Sequence, residues 1–251
     1  MTDFNDHFGK VATRYADFRP TYPPALFDWL RDSCSAHELV WDCGCGNGQA
    51  SIALAAHFSH VHATDASAGQ IAQATSHPQV RYAVTPASDS GLDDASVDLV
   101  TVAQALHWFA DDSFYDEARR VLKPGGLLAA WSYGMIMVDG DAVNAAIQHF
   151  YHQVIGPYWP PERRHVETGY RELPFPFTRI ALPAPPLAMR VAWPLQQLLG
   201  YLGSWSASVR YREATGKDAV DALGKVLRDC WGDPMQARTV SWPLAILAGR
   251  P

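Results

Sequence analysis

The run Trp41-Asp42-Cys43-Gly44-Cys45-Gly46-Asn47-Gly48-Gln49 constrains this chain more than any other stretch of it. It follows an apolar segment, Glu38 to Cys43, that reads as a short strand, and it opens an Ala-rich segment, Gln49 to Phe58, that reads as a helix. A strand that turns at once into a helix needs backbone conformations that glycine adopts at little cost. Alternate glycines also leave bare backbone for a ligand to approach. A helix starting behind Gly48 aims its unpaired N–H groups at whatever sits on the turn. The next strand, His60 to Thr64, runs into Asp65, about 20 residues past the turn, where a carboxylate can accept from both hydroxyls of a ribose.

The spacing is not that of a dinucleotide site. That site needs G-x-G-x-x-G, and here Gln49 occupies the place of the third glycine. Asp42 beside the turn suits a cationic ammonium and repels a pyrophosphate. An adenosine carrying an amino acid fits better than one carrying phosphates, which leaves an NAD-dependent oxidoreductase as the weaker alternative.

Around the turn, short β-like runs alternate with helix-like segments, the pattern of βαβ units on a parallel sheet. Val80–Val84, Val97–Ala103 and Leu127–Trp131 read as further strands. Ser67–Thr75 and Asp112–Leu122 read as helices, the second stopped by Lys123-Pro124-Gly125-Gly126. Beyond residue 150 the texture changes. Eight of the 18 prolines fall between Pro157 and Pro186, so long regular elements are not expected there, and a cap over the sheet is. Helical patterning returns over Pro194–Tyr211 and Lys217–Trp231. Arg238–Leu247 reads as a closing strand, with Pro243 placing it at an edge or a bulge.

Composition narrows the partners. With 48% hydrophobic residues the chain can bury a core, and 20 Lys+Arg against 26 Asp+Glu leave a net charge of −6, the wrong sign for nucleic acid or an anionic membrane. Four cysteines, Cys34, Cys43, Cys45 and Cys230, are too few and too uneven for a disulfide framework. The start, MTDFNDHFGK, has no signal pattern, and no apolar run nears the roughly 18 residues of a membrane span. The expectation is a reduced, cytoplasmic protein. Nine tryptophans point to a large aromatic core, an aromatic-lined cavity, or both.

Taken in order, Asp-x-Gly-x-Gly-x-Gly, the acidic end of the second strand, Val97-Asp98-Leu99-Val100 and Leu122-Lys123-Pro124-Gly125-Gly126 resemble a class I S-adenosylmethionine-dependent methyltransferase of type 11. That is the small-molecule group with UbiE-like and trans-aconitate methyltransferases. Phe18-Arg19-Pro20-Thr21-Tyr22-Pro23 and Ala105-Leu106-His107-Trp108-Phe109 resemble the trans-aconitate-like branch. The resemblance implies an α/β, Rossmann-like methyltransferase fold with a seven-stranded, mainly parallel sheet, helices on both faces and a helical or loop cap. It implies one methyltransferase domain over 1–251: an N-terminal lid (1–30), a cofactor-binding core (36–133), a cap with late helices (134–235) and a closing strand (236–251).

It also implies the site. Gly44, Gly46 and Gly48 would lie under the methionine part of S-adenosylmethionine, with Asp42 near its ammonium. Asp65 would hold the ribose. Ala66 would flank the adenine, and Ala87-Ser88 would meet its edge. Gln104 would lie beside the transferred methyl. Tyr15 and Arg19 would belong to the lid, with Arg19 pairing with the cofactor carboxylate.

On the acceptor side, His107 reads either as an acid–base or donor group or as a satisfied wall histidine. Trp108, Trp131, Tyr133, Tyr151, Trp159 and Trp205 can line a pocket for a small acceptor or simply fill the core. A carboxylate acceptor would need no base, and Arg19, Arg163 and Arg164 would then be its clamps. No metal is expected: Cys43 and Cys45 in a tight turn, with His57, His60 and His62, do not make a tetrahedral set. A protein that binds the cofactor without catalysis would carry the same binding motifs. The oligomeric state is not legible.

Overall fold

The computed structural model describes residues 20–251. Tyr15 and Arg19 lie outside the described residues.

Five parallel strands form the base of the sheet: β1 (Leu39–Cys43), β2 (His60–Asp65), β3 (Val80–Val84), β4 (Val97–Ala103) and β5 (Leu122–Tyr133). Their spatial order is β3-β2-β1-β4-β5, so the chain reverses direction across the sheet between β1 and β4. Six of the seven β4 residues are buried, as befits a strand covered on both faces. Four more strands complete a nine-stranded sheet: β6 (Met137–Val138), β7 (Thr178–Arg179), β8 (Ala188–Trp193) and β9 (Arg238–Arg250). β9 runs antiparallel to β5, with Tyr133 opposite Leu244 and Leu128 opposite Gly249, and also pairs with β6, β7 and β8.

Alternation along β5 splits the core into two layers. Leu127, Ala129, Trp131 and Tyr133 face one side, with Leu26, Leu30, Leu54 and Trp205; Leu128 and Ala130 face the other, with Trp41, Phe114 and Tyr115. The helices are α1 (Pro24–Asp32), α2 (Gln49–Leu54), α3 (Ala68–Ile71), α4 (Asp112–Val121), α5 (Asp141–His149), α6 (Arg163–Glu167), α7 (Leu195–Gly203), α8 (Ser206–Thr215) and α9 (Ala219–Trp231). Asp111 caps α4 by accepting from Phe114 N, and Asp218 caps α9 by accepting from Val220 N.

Several expectations need correction. Among the described residues the sheet has nine strands and not seven, because the region read as a cap also supplies β6, β7 and β8. Lys123-Pro124-Gly125-Gly126 does not separate helix from strand. It is a bulge inside β5, whose pairing to β4 jumps from Val97–Leu122 to Leu99–Leu127. The helices read over 49–58 and 67–75 close early, at Leu54 and Ile71. The helix read over 194–211 is two, parted at Ser204-Trp205, where Trp205 is extended (φ −64°, ψ 138°). β9 is no edge strand. Its Leu244 N–H donates to Leu187 O, so the Pro243 nitrogen turns to the opposite side, into the gap between the Ser241–Met137 and Leu244–Tyr133 pairs where no ladder bond is missed.

Candidate active site

The carboxyl ends of β1, β2 and β4 lie side by side at the switch in strand order, the place where open α/β sheets take ligands. Gly44, Gly46 and Gly48 stand there at φ 68°, 56° and 88°. A Cβ on Gly44 would lie 2.7 Å from Ala105 Cβ, and one on Gly48 would overlap the Tyr82 hydroxyl. Those two glycines are required by the protein's own packing. Gly46 is different: among the described residues the only atom near its missing Cβ is Gln70 Oε1 at 3.8 Å, so none of them crowds its backbone.

Asp65 closes the cradle at the end of β2. Oδ2 accepts from Gly46 N (2.9 Å) and Oδ1 from Ser67 N (2.8 Å), which fixes the carboxylate plane at the rim and leaves each oxygen a further lone pair. Ala66 beside it is exposed, Ala87 packs under the loop after β3, and Ser88 is exposed on that loop.

Asp42 departs from its expected position. It lies beneath the turn, fully buried, with Oδ2 accepting from Ser51 Oγ (2.6 Å) and Oδ1 from Thr101 Oγ1 (2.8 Å). Burial raises its pKa to about 6 against the pull of those two hydroxyls, and Asp65 adds to the rise. Asp42 therefore ties β1, β4 and α2 together under the turn instead of standing on its face.

At the end of β4, Gln104 is left-handed (φ 59°), held by its N–H to Trp131 O (2.9 Å) and by Nε2 to Tyr133 O (3.0 Å). His107 follows on a short 3-10 turn, Leu106–Trp108. Its Nδ1 lies 3.2 Å from the Tyr170 hydroxyl. Burial, then the charges of Arg163 and His165, push it down to about 4, so the ring is neutral at physiological pH. Trp108 stacks on it at 4.8 Å and is about half exposed (46%).

The cap brings the remaining side chains. Tyr151, Trp159 and Trp205 lie 5.2 to 5.6 Å apart between ring centres. Arg163 donates from Nε to Tyr151 Oη (2.9 Å) and stacks over Trp159 at 4.7 Å, while Tyr151 donates to Glu167 (2.6 Å). Tyr151, Trp159, Arg163 and Glu167 line a cleft of about 290 Å³ that Arg164 and His152 also border. Arg164 is exposed and turned to Glu172 (3.2 Å), so it is a rim residue and not an inner clamp. Trp131 is fully buried, edge-on to Tyr22 at 5.6 Å, and Tyr22 in turn reaches Tyr133. The indole nitrogens of Trp131 and Trp159 and Nδ1 of His165 are buried without a hydrogen-bond partner among the described residues.

Cys43 and Cys45 fall on opposite faces of the sheet, Cys43 in the layer with Trp41 and Cys45 in the layer with Leu54. Among the described residues no three His, Cys, Asp or Glu side chains converge as a metal site. The sequence reading passed over Ser51, Thr101, Glu167 and Tyr170. Each is recruited by tertiary contact, and none sits in a local pattern that would single it out.

A bare glycine turn, an acidic end to β2 and a sheet with an antiparallel β9 beside β5 define a Rossmann-like methyltransferase fold. The comparisons agree. A family model described as a methyltransferase domain matches residues 41–130. Over 229 residues the chain is 34% identical to a Dictyostelium discoideum protein named as a methyltransferase, covering 90% of this chain and 86% of that one. It is 32% identical over 179 residues to an uncharacterized methyltransferase of Mycobacterium tuberculosis, covering 71% and 68%. Among solved structures, a protein assigned as a type II methyltransferase from Anaeromyxobacter dehalogenans superposes with a TM-score of 0.88 at 50% identity, over 93% of this chain and 98% of that one. The chain belongs to the type 11 class I S-adenosylmethionine-dependent methyltransferases. S-adenosylmethionine is its cofactor, and the open backbone over Gly46 beside the Asp65 carboxylate fits it.

Proposed function

We propose that this methyltransferase modifies an oxygen of a small acidic acceptor held between the end of β4 and the cap. The observation that carries the reading is Arg163. Tyr151 fixes its Nε, Trp159 backs its guanidinium plane, and it lines the 290 Å³ cleft while its charge reaches His107. A cation oriented by a hydroxyl and an aromatic face is the arrangement that receives a carboxylate. Nε1 of Trp159, which lines the cleft and has no partner among the described residues, supports a polar acceptor, because a buried polar group left unsatisfied is costly.

When bound, S-adenosylmethionine supplies a methyl on a sulfonium, whose sulfur keeps the electron pair as the acceptor oxygen takes the carbon. The chain's own part is to bind, orient and exclude water. Gly46 and Asp65 seat the nucleoside, while Gln104, pinned to the backbone of β5, sets the wall where the acceptor meets it. Tyr22, Trp131 and Tyr133 form an apolar face that keeps water out. A carboxylate oxygen carries no proton, so no base is required. A small acid fits a net charge of −6 better than a nucleic acid does, and four free thiols fit a cytoplasmic setting.

The test is a turnover screen of small carboxylic acids with S-adenosylmethionine, repeated with Arg163→Met and Arg163→Lys. Turnover of an acid, with KM raised at least about tenfold in Arg163→Met and poorly restored by lysine, supports the reading. Methylation confined to amines or phenols, or an Arg163→Met variant with native KM for the acid, overturns it.

A further inference from the structure

Tyr170 is fully buried, yet it sits in the left-handed region at φ 62°, where a bulky residue stays only if its surroundings hold it. The turn behind α6 does the holding, through Tyr170 N–H to His165 O at 2.8 Å. It delivers the phenol to the end of β4, with the ring 5.9 Å from that of His107 and the hydroxyl 3.2 Å from His107 Nδ1. A phenol has one proton to give. Buried as it is, the O–H needs an acceptor, and the one that the described residues bring within reach is His107 Nδ1.

We infer that Tyr170 locks His107 in the tautomer that carries its proton on Nε2, so that the histidine meets the acceptor as a hydrogen-bond donor and not as a base. Tyr170 is thus a positioning residue that acts through His107. The groups facing the ring agree. From the cap, Arg163 and His165 are cations or potential cations, and Trp108 adds an aromatic face from the same turn, so a second proton on the ring is disfavoured. A neutral imidazole with Nδ1 engaged offers one N–H, which matches an oxygen acceptor that brings no proton. In this respect the inference rests on the acid-acceptor reading, but the lock itself is a property of the protein.

The experiment is NMR of protein labelled with ¹⁵N-histidine, bound to S-adenosylhomocysteine, between pH 6 and 9. His107→Gln identifies the ring signals, and Tyr170→Phe removes the hydroxyl while keeping the ring. The native His107 is expected as the Nε2–H tautomer alone, and Tyr170→Phe is expected to release it into a mixture. A native ring protonated on Nδ1, or a tautomer unmoved by Tyr170→Phe, overturns the lock. If Tyr170→Phe does not fold, turnover decides. Glutamine places an N–H at the position of Nε2, so His107→Gln should stay within about tenfold of native kcat while His107→Asn falls further; a lost base would cost about 100-fold or more in both. Should no acid prove to be a substrate, the acid-acceptor reading fails and the NMR result still decides the lock.

Discussion

Asp42→Asn should make this protein more stable at neutral pH. The Asp42 carboxylate has no exposed surface, and its two hydroxyl partners do not offset the loss of water. Its pKa stands at about 6, against 3.8 for an ordinary aspartate. At about 1.4 kcal/mol per unit, holding it ionised costs the fold about 3 kcal/mol at pH 8. The amide removes the charge and still bonds both hydroxyls, since Ser51 and Thr101 can each donate or accept. Linkage sets the sign. The folded state holds the proton between pH 3.8 and about 6 while the unfolded state does not, so native stability falls as pH rises through that window. The advantage of the variant should therefore be about 3 kcal/mol at pH 8, roughly half of that at pH 5, and nil below the unfolded pKa. For a chain of this size about 3 kcal/mol is a rise in Tm of roughly 6 °C or more. Urea denaturation at pH 8 and pH 5 measures both values. A variant no more stable than native at pH 8, or equally favoured at both pH values, would refute a buried ionised Asp42.

The two kinds of glycine in the turn should separate. Gly46→Ala meets open space and should lose about 1 kcal/mol for its left-handed φ, with a loss of S-adenosylmethionine affinity by calorimetry, whereas Gly48→Ala must displace Tyr82 and should lose about 2 kcal/mol or more by thermal melting. Glu117 accepts from Ser90 N and Oγ and from Arg120, which together with Ser90 hold it down to about 2; Glu117→Ala should cost about 2 kcal/mol at pH 7, a difference that shrinks as pH falls from the ordinary range through about 2. Trp205→Ala leaves a hole among Phe150, Tyr151, Trp159 and Tyr201 and should cost about 3 to 5 kcal/mol in denaturant unfolding.

The glycine turn and the acidic end of β2 were legible because their constraints are local. A turn between strand and helix writes its glycines at fixed spacing, and Asp65 follows at the end of the next strand. Even there local reading placed Asp42 on the face of the turn, since nothing in the motif shows that Ser51 and Thr101 close over it. The bulge at Lys123-Pro124-Gly125-Gly126 was read as a stop because a Pro-Gly-Gly run has the chemistry of a turn; only the pairing of Leu122 with Val97 keeps it in the strand. Ser204-Trp205 looked helical by pattern, and the break there serves the aromatic cluster, a tertiary demand that outweighs propensity. Tyr170 had no signal at all. It sits in a proline-rich stretch, and its role depends on a left-handed turn more than 60 residues from the histidine it touches.

That unequal legibility has a physical basis that bears on acceptor choice. Of the three non-glycine residues at positive φ among the described residues, Ala95, Gln104 and Tyr170, two stand where the acceptor is proposed to bind, one from the sheet and one from the cap. Each conformation costs of order 1 kcal/mol or more and persists only where neighbours over-determine it. The sheet holds Gln104 through two bonds to β5, and the cap holds Tyr170 through its own turn and through His107. An acceptor held as proposed would be gripped between two separately built parts. The turn at Gly46 and the Asp65 rim can stay fixed while the segment carrying Trp159, Arg163 and Tyr170 changes shape and charge. Exchanging that cap segment should alter KM for the acceptor and leave S-adenosylmethionine affinity within about threefold, because no cap residue bonds to Gly46 or Asp65.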